Sequence, residues 1–76
     1  MRELVEIIVK ALVDNPEEVN ITEKQEENVT LIEIRVADGD MGKVIGKQGR
    51  IAKAIRALVK AASSKEEKKV IVDIVQ

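Results

Sequence analysis

Seventy-six residues carry thirteen Lys/Arg, fourteen Asp/Glu and no histidine, cysteine or aromatic side chain. Such a chain forms no disulfide and no Cys/His zinc site, stacks no bases on rings, and has the length for one domain, residues 1–76, with a thin core. The net charge of −1 hides a polarity: residues 1–40 hold four basic and eleven acidic side chains, whereas residues 41–65 hold seven basic and no acidic ones.

Physiological salt screens charge beyond about 8 Å, so a partner meets the local field, and the second half of the chain offers it a cationic surface. Met1-Arg2-Glu3-Leu4 includes an acid and leads into no long apolar run. Neither a signal peptide nor a membrane span is expected, and the chain reads as cytoplasmic.

Leu4, Ile8, Ala11 and Leu12 recur at helical spacing opposite Glu3, Glu6, Lys10 and Asp14, which predicts a helix over residues 2–14. Pro16 pushes Asn15 out of the α region and ends it. Residues 19–24 alternate, Val19 and Ile21 against Asn20 and Thr22. Residues 29–36 alternate again, Ile32, Ile34 and Val36 against Glu33 and Arg35. With Gln25-Glu26-Glu27-Asn28 as the turn, the two make an antiparallel hairpin. Val29 and Leu31 fall on the Glu33 face, which suggests partial cover there. Asp38-Gly39-Asp40 reads as an Asp-Gly turn with Asp40 capping a short helix over residues 41–45, in preference to a pair of metal-binding carboxylates.

A long helix is predicted over residues 50–62, with Ile51, Ile55, Leu58 and Ala62 on one stripe and Lys53, Arg56 and Lys60 opposite. Ala54, Ala57 and Ala61 run between them, as helix-forming filler or as a second contact surface. Residues 63–69 connect to a last strand over 70–75, which can return parallel to a neighbour by a right-handed crossover.

The stretch Val44-Ile45-Gly46-Lys47-Gln48-Gly49-Arg50-Ile51 carries the chemistry. Two glycines three apart, with Lys47 and Gln48 between them and a helix directly after, make a turn that an anionic backbone can approach closely. The first N–H groups of the helix are unpaired and its dipole favours an anion. This is not a nucleotide-hydrolysing loop: Gly42 and Gly46 enclose three residues instead of four, and Gln48 stands where Ser or Thr would hold magnesium. The G-x-x-x-G spelled by the same pair has no apolar span around it, so the membrane reading is empty.

Read as V-I-G-x-x-G with an amphipathic helix behind it, this run resembles the KH nucleic-acid-binding module. With Asp14-Asn15-Pro16 after the first helix and Gly42 through Ile55 as a block, the chain is similar over its whole length to the small stand-alone bacterial KH proteins of the KhpA type. One departure is Ala52 at a position often Ile in the wider family, beside the larger Ile51. The resemblance implies an α+β fold of the prokaryotic, type II, KH kind, α-β-β-α-α-β, with helices on one face of a three-stranded mixed sheet. It also implies a clamp on about four nucleotides of single-stranded RNA, a homodimer, a KhpB (Jag)-type partner, and a role as RNA chaperone or post-transcriptional regulator linked to cell shape and envelope growth.

The expected RNA-binding residues are Lys43, Val44, Ile45, Gly46, Lys47, Gln48, Gly49, Arg50, Lys53 and Ile34. The loop backbone and Lys47 meet phosphates, Gln48 hydrogen-bonds, and Lys43, Arg50 and Lys53 supply the surrounding charge. Val44, Ile45 and the strand around Ile34 wall an aliphatic groove for the bases. Without stacking, worth about 1–3 kcal/mol per base, one copy binds weakly and pairing raises avidity. The alternative is a protein-interaction adaptor in which the loop is vestigial. An enzyme ranks last, because Thr22, Thr30, Ser63 and Ser64 are the only Ser or Thr hydroxyls and none sits in a base-activated arrangement. No cofactor or metal is expected.

Overall fold

The hydrophobic periods resolve into α1 (Arg2–Leu12), β1 (Asn20–Gln25), β2 (Val29–Arg35), α2 (Met41–Ile45), α3 (Arg50–Ala62) and β3 (Lys69–Val75). The structure, a computed structural model, describes residues 2–64 and 68–75. Residues 65–67 of the expected connection lie outside them. Short 3₁₀ turns stand at Pro16–Glu18, Asp38–Asp40 and Lys47–Gly49.

The sheet runs in the order β1-β2-β3. β1 and β2 are antiparallel, with Gln25 opposite Thr30 and Asn20 opposite Arg35; β2 and β3 are parallel, with Val29 opposite Lys69. The result is the expected α+β arrangement, with β2 in the centre and both other strands at edges. Alternation decides what each strand buries. Ile21, Thr30, Ile32, Ile34 and Val72 point inward, and the apolar ones join Val5, Val9, Val13, Val44, Ile55 and Val59 from the helical layer in one core. Outside, Val29, Leu31 and Glu33 are half-buried, which agrees with the partial cover expected for that face.

Both long helices turn a different flank to the sheet from the one expected. In α1 the buried stripe is Val5, Val9 and, just past its end, Val13, with Ile8 and Leu12 packed beside it. Leu4 and Ala11 are exposed, and Ile7 is 70% exposed. Seven of the eleven residues of α1 are apolar, so several stripes of the required width exist and the sheet selects one. In α3 the inward residues are Ala52, Ile55 and Val59, while Leu58 is 53% exposed and Ala62 lies outside. On a 100° wheel Val59 and Leu58 flank Ile55 on opposite sides, and the strands cover the Val59 side.

The first helix stops at Leu12, two residues earlier than expected. The cause lies 26 residues away in Asp40, whose carboxylate accepts from the backbone N–H of Asp14 (3.2 Å) and of Asn15 (3.0 Å). Asp40 was expected to cap α2; it stands at that position without making the side-chain cap. It is 1% exposed and ties the end of α1 to the start of α2 instead.

Candidate nucleic-acid interface

The loop is built by three positive-φ residues within four positions, Lys47 being the exception. Gly46 has φ 77°, ψ 171°, Gln48 has φ 60°, ψ 23°, and Gly49 has φ 74°, ψ 15°. The first of these is a region open essentially only to glycine, and the other two are left-handed. The Gly46 N–H closes α2 on the Gly42 carbonyl (2.9 Å), and the Gly49 N–H returns to the Gly46 carbonyl (3.1 Å). No side chain caps α3, and its first amide, the Arg50 N–H, returns to the Lys47 carbonyl, so any donors the helix offers an anion are the N–H groups that follow in its first turn.

The two glycines answer different demands. A Cβ on Gly46 would lie 2.6 Å from Ile51 Cγ1, whereas one on Gly49 would meet nothing within 4 Å. Ile51 therefore fills the hollow under the loop, which explains why the larger side chain precedes Ala52: Ala52 is buried where α3 comes close to its neighbours.

Around the loop, Lys47, Gln48, Arg50 and Lys53 are all exposed, and Ile45 is partly so. Gln48 Oε1 accepts from Arg50 Nη2 (3.2 Å). Among the described residues, Lys47 and Lys53 have no carboxylate partner. Lys43 differs. Its ammonium pairs with Asp14 and stands 3.7 Å from Asp40. The hydrogen bond it donates to Asp14 lifts its pKa above the ordinary lysine value against a burial penalty, helped by the charges of both acids. For Asp40, burial pushes the carboxyl up, but the Asp14 and Asn15 N–H groups and Lys43 outweigh it and hold the pKa below the usual value. The Lys43 charge is thus shared with two acids of the protein itself.

Two further site residues are placed differently from expectation. Val44 and Ile34 are both fully buried, because Val44 is the inward residue of α2 and Ile34 belongs to the central strand under the helices. They carry the loop from beneath and cannot wall an open groove. Among the described residues, an open cleft lies along the other edge, between α3 and β3, where a cavity of about 360 Å³ is lined by Arg56, Lys60, Lys68 and Lys69, by Ser63 and Ser64, and by Val70, Ile71 and Val72. Arg56 Nε donates to the Val72 carbonyl (3.1 Å) across it. Sequence reasoning placed Arg56 and Lys60 on a solvated stripe; that β3 lies beside them depends on a parallel pairing that helical periodicity does not contain.

A positively framed G-x-x-G turn between two helices, over a mixed sheet of this order, defines a KH-type nucleic-acid-binding fold. Solved structures agree on the fold: Aquifex aeolicus Era bound to GDP.AlF4- superposes with a TM-score of 0.60 at 20% identity, over 97% of this chain and 30% of that one. Era in complex with MgGDPNP and nucleotides 1506–1542 of 16S ribosomal RNA gives 0.59 over the same shares, also at 20% identity. The KhpA/KhpB KH-domain family model matches residues 2–74. RNA-binding protein KhpA of Clostridium perfringens (strain 13 / Type A) is 61% identical over 99% of this chain and all of that one. The protein of the same name from Listeria monocytogenes serovar 1/2a is 51% identical over the full length of both. The chain belongs to the KhpA/KhpB KH-domain family, which is non-enzymatic.

Proposed function

We propose that this protein binds single-stranded RNA, with the backbone of residues 46–49 and the first turn of α3 on the phosphates and the bases laid into the cleft between α3 and β3. The observation that carries the reading is the loop itself. Gly46, Gln48 and Gly49 take positive φ within four residues, and Lys47, Arg50 and Lys53 stand exposed around them. The similar KhpA proteins are named as RNA-binding, which supports the same assignment. Sugar–phosphate recognition by amides and cations is sequence-independent, so affinity falls with salt; three neutralised phosphates give a slope of log K on log salt of roughly −2 for a single strand.

Replacing Lys47 and Gln48 together by Asp puts two carboxylates where phosphate would sit. Anisotropy with a labelled single-stranded RNA is expected to lose binding while the unfolding midpoint stays close to the parent's. A folded variant that binds as the parent does removes the loop from the mechanism. We further propose that two copies pair through the exposed face of α3, where Leu58 stands among Ala54, Ala57 and Ala61. Pairing would offset the weak grip of a ring-free site. In the family's terms the protein would then serve as an RNA chaperone or post-transcriptional regulator.

A further inference from the structure

We infer that the cleft between α3 and β3 selects bases rich in hydrogen-bond acceptors, uracil and guanine, over adenine and cytosine, with Arg56 as the residue that sets the preference. The inference rests on the RNA-binding reading above and specifies what that site takes. Among the described residues, every charged side chain lining the cavity is a cation: Arg56, Lys60, Lys68 and Lys69. The neutral polar side chains of the lining are Ser63, whose hydroxyl turns into α3 and donates to the Val59 carbonyl (2.8 Å), and Ser64. The Val72 carbonyl on the edge strand takes the Arg56 Nε–H. Gln25 Oε1, just beyond the cleft, accepts from both Thr30 Oγ1 (3.1 Å) and Lys68 Nζ (3.1 Å).

The bond to Val72 also fixes the guanidinium. With Nε committed to the strand, the plane of the group is set and its remaining N–H donors are available side by side. Guanine offers O6 and N7 to such a fork, and uracil offers O4. Adenine and cytosine carry an amino donor at the corresponding place, N6 or N4. An amino group laid against a guanidinium or ammonium gives up its water and faces a second donor, and an unsatisfied donor costs more than a made bond gains. Val70 and Val72 supply the apolar contact for a base face, which any base satisfies, so the discrimination falls to the polar edge.

The test uses the full chain and four labelled RNA heptamers, CCCXCCC with X as C, A, U or G, compared by anisotropy at one salt concentration. The U and G heptamers are expected to bind at least about fivefold more tightly than the C and A heptamers. Arg56→Gln, whose amide offers an acceptor beside a donor, is expected to close the gap to less than about twofold. Arg56→Lys keeps the charge but loses the fork, so it is expected to weaken the preference while leaving the salt slope unchanged. The Lys47/Gln48 double Asp variant should lose all four heptamers in parallel. Equal or tighter binding of the C or A heptamer by the parent, or a preference that survives both Arg56 variants, overturns the inference and leaves the clamp standing. A parent that binds none of the four sinks both.

Discussion

Gly46 and Gly49 look equivalent in the sequence, and the structure separates them. Gly49→Ala pays only for a left-handed backbone, about 1–2 kcal/mol. In a chain of this size that is expected to lower the unfolding midpoint by roughly 4–15 °C. Gly46→Ala adds an overlap with Ile51, typically a further 1–3 kcal/mol or so, so thermal unfolding followed by circular dichroism should rank it clearly below Gly49→Ala. A Gly46→Ala, Ile51→Val double variant should recover part of the difference, because the smaller side chain can withdraw. Equal midpoints for the two single glycine variants would mean that the overlap is relieved without cost. Lys43 and Lys47 divide in a similar way. Lys47→Met is expected to reduce the magnitude of the salt slope by about 0.7. Lys43→Met should leave the slope as it is and lower the midpoint, since Lys43 already pairs with Asp14 and Asp40.

At the scale of elements, the Asp40 carboxylate joins two helix ends. Its folded pKa is held below the ordinary value of 3.8. Its stabilisation is therefore complete above the unfolded pKa and is lost as pH falls through the folded one. Midpoints measured from pH 7 downward should hold and then fall steeply below about pH 4 in the parent. Asp40→Asn is expected to start lower and to show a shallower acid decline, because its amide N–H₂ opposes the Asp14 and Asn15 N–H groups and no longer titrates. An identical acid profile in both would remove Asp40 from the latch. Element existence and order were legible beforehand: two amphipathic helices, a hairpin, a short helix before the glycines and a last apolar strand all follow from period and turn chemistry. The stripe each helix buries was not. Leu4 and Val5, or Leu58 and Val59, are similarly apolar residues 100° apart on a wheel, and only the sheet decides which of them turns inward.

For the whole molecule, the separation of charge in the chain becomes an uneven surface in which the exposed cations of the loop and of α3 stand along one helix. Self-association is the property most easily tested at this scale. Sedimentation of the parent is expected to give a dimer, and Leu58→Glu a monomer with an unfolding midpoint within about 5 °C of the parent at low concentration, since an exposed substitution away from the core shifts stability by about 0.5 kcal/mol or less. A monomeric parent, or a Leu58→Glu dimer, would exclude this face.

By itself the sequence determined the kind of molecule: the element order and the V-I-G-x-x-G run mark a KH domain with a local excess of cations and no rings, because hydrophobic period, φ range, charge and ring count are properties of the residues wherever they end up. Only the tertiary structure decided which groups around the Gly46–Gly49 loop are engaged within the protein. Asp14 and Asp40 reach Lys43 across 29 and 3 positions of chain, Val44 and Ile34 close into the core, and a parallel strand arriving last turns Arg56 from a solvated lysine-like charge into the wall of a cleft. Those outcomes depend on contacts between distant segments, and a contact exists only once both partners have been folded into place.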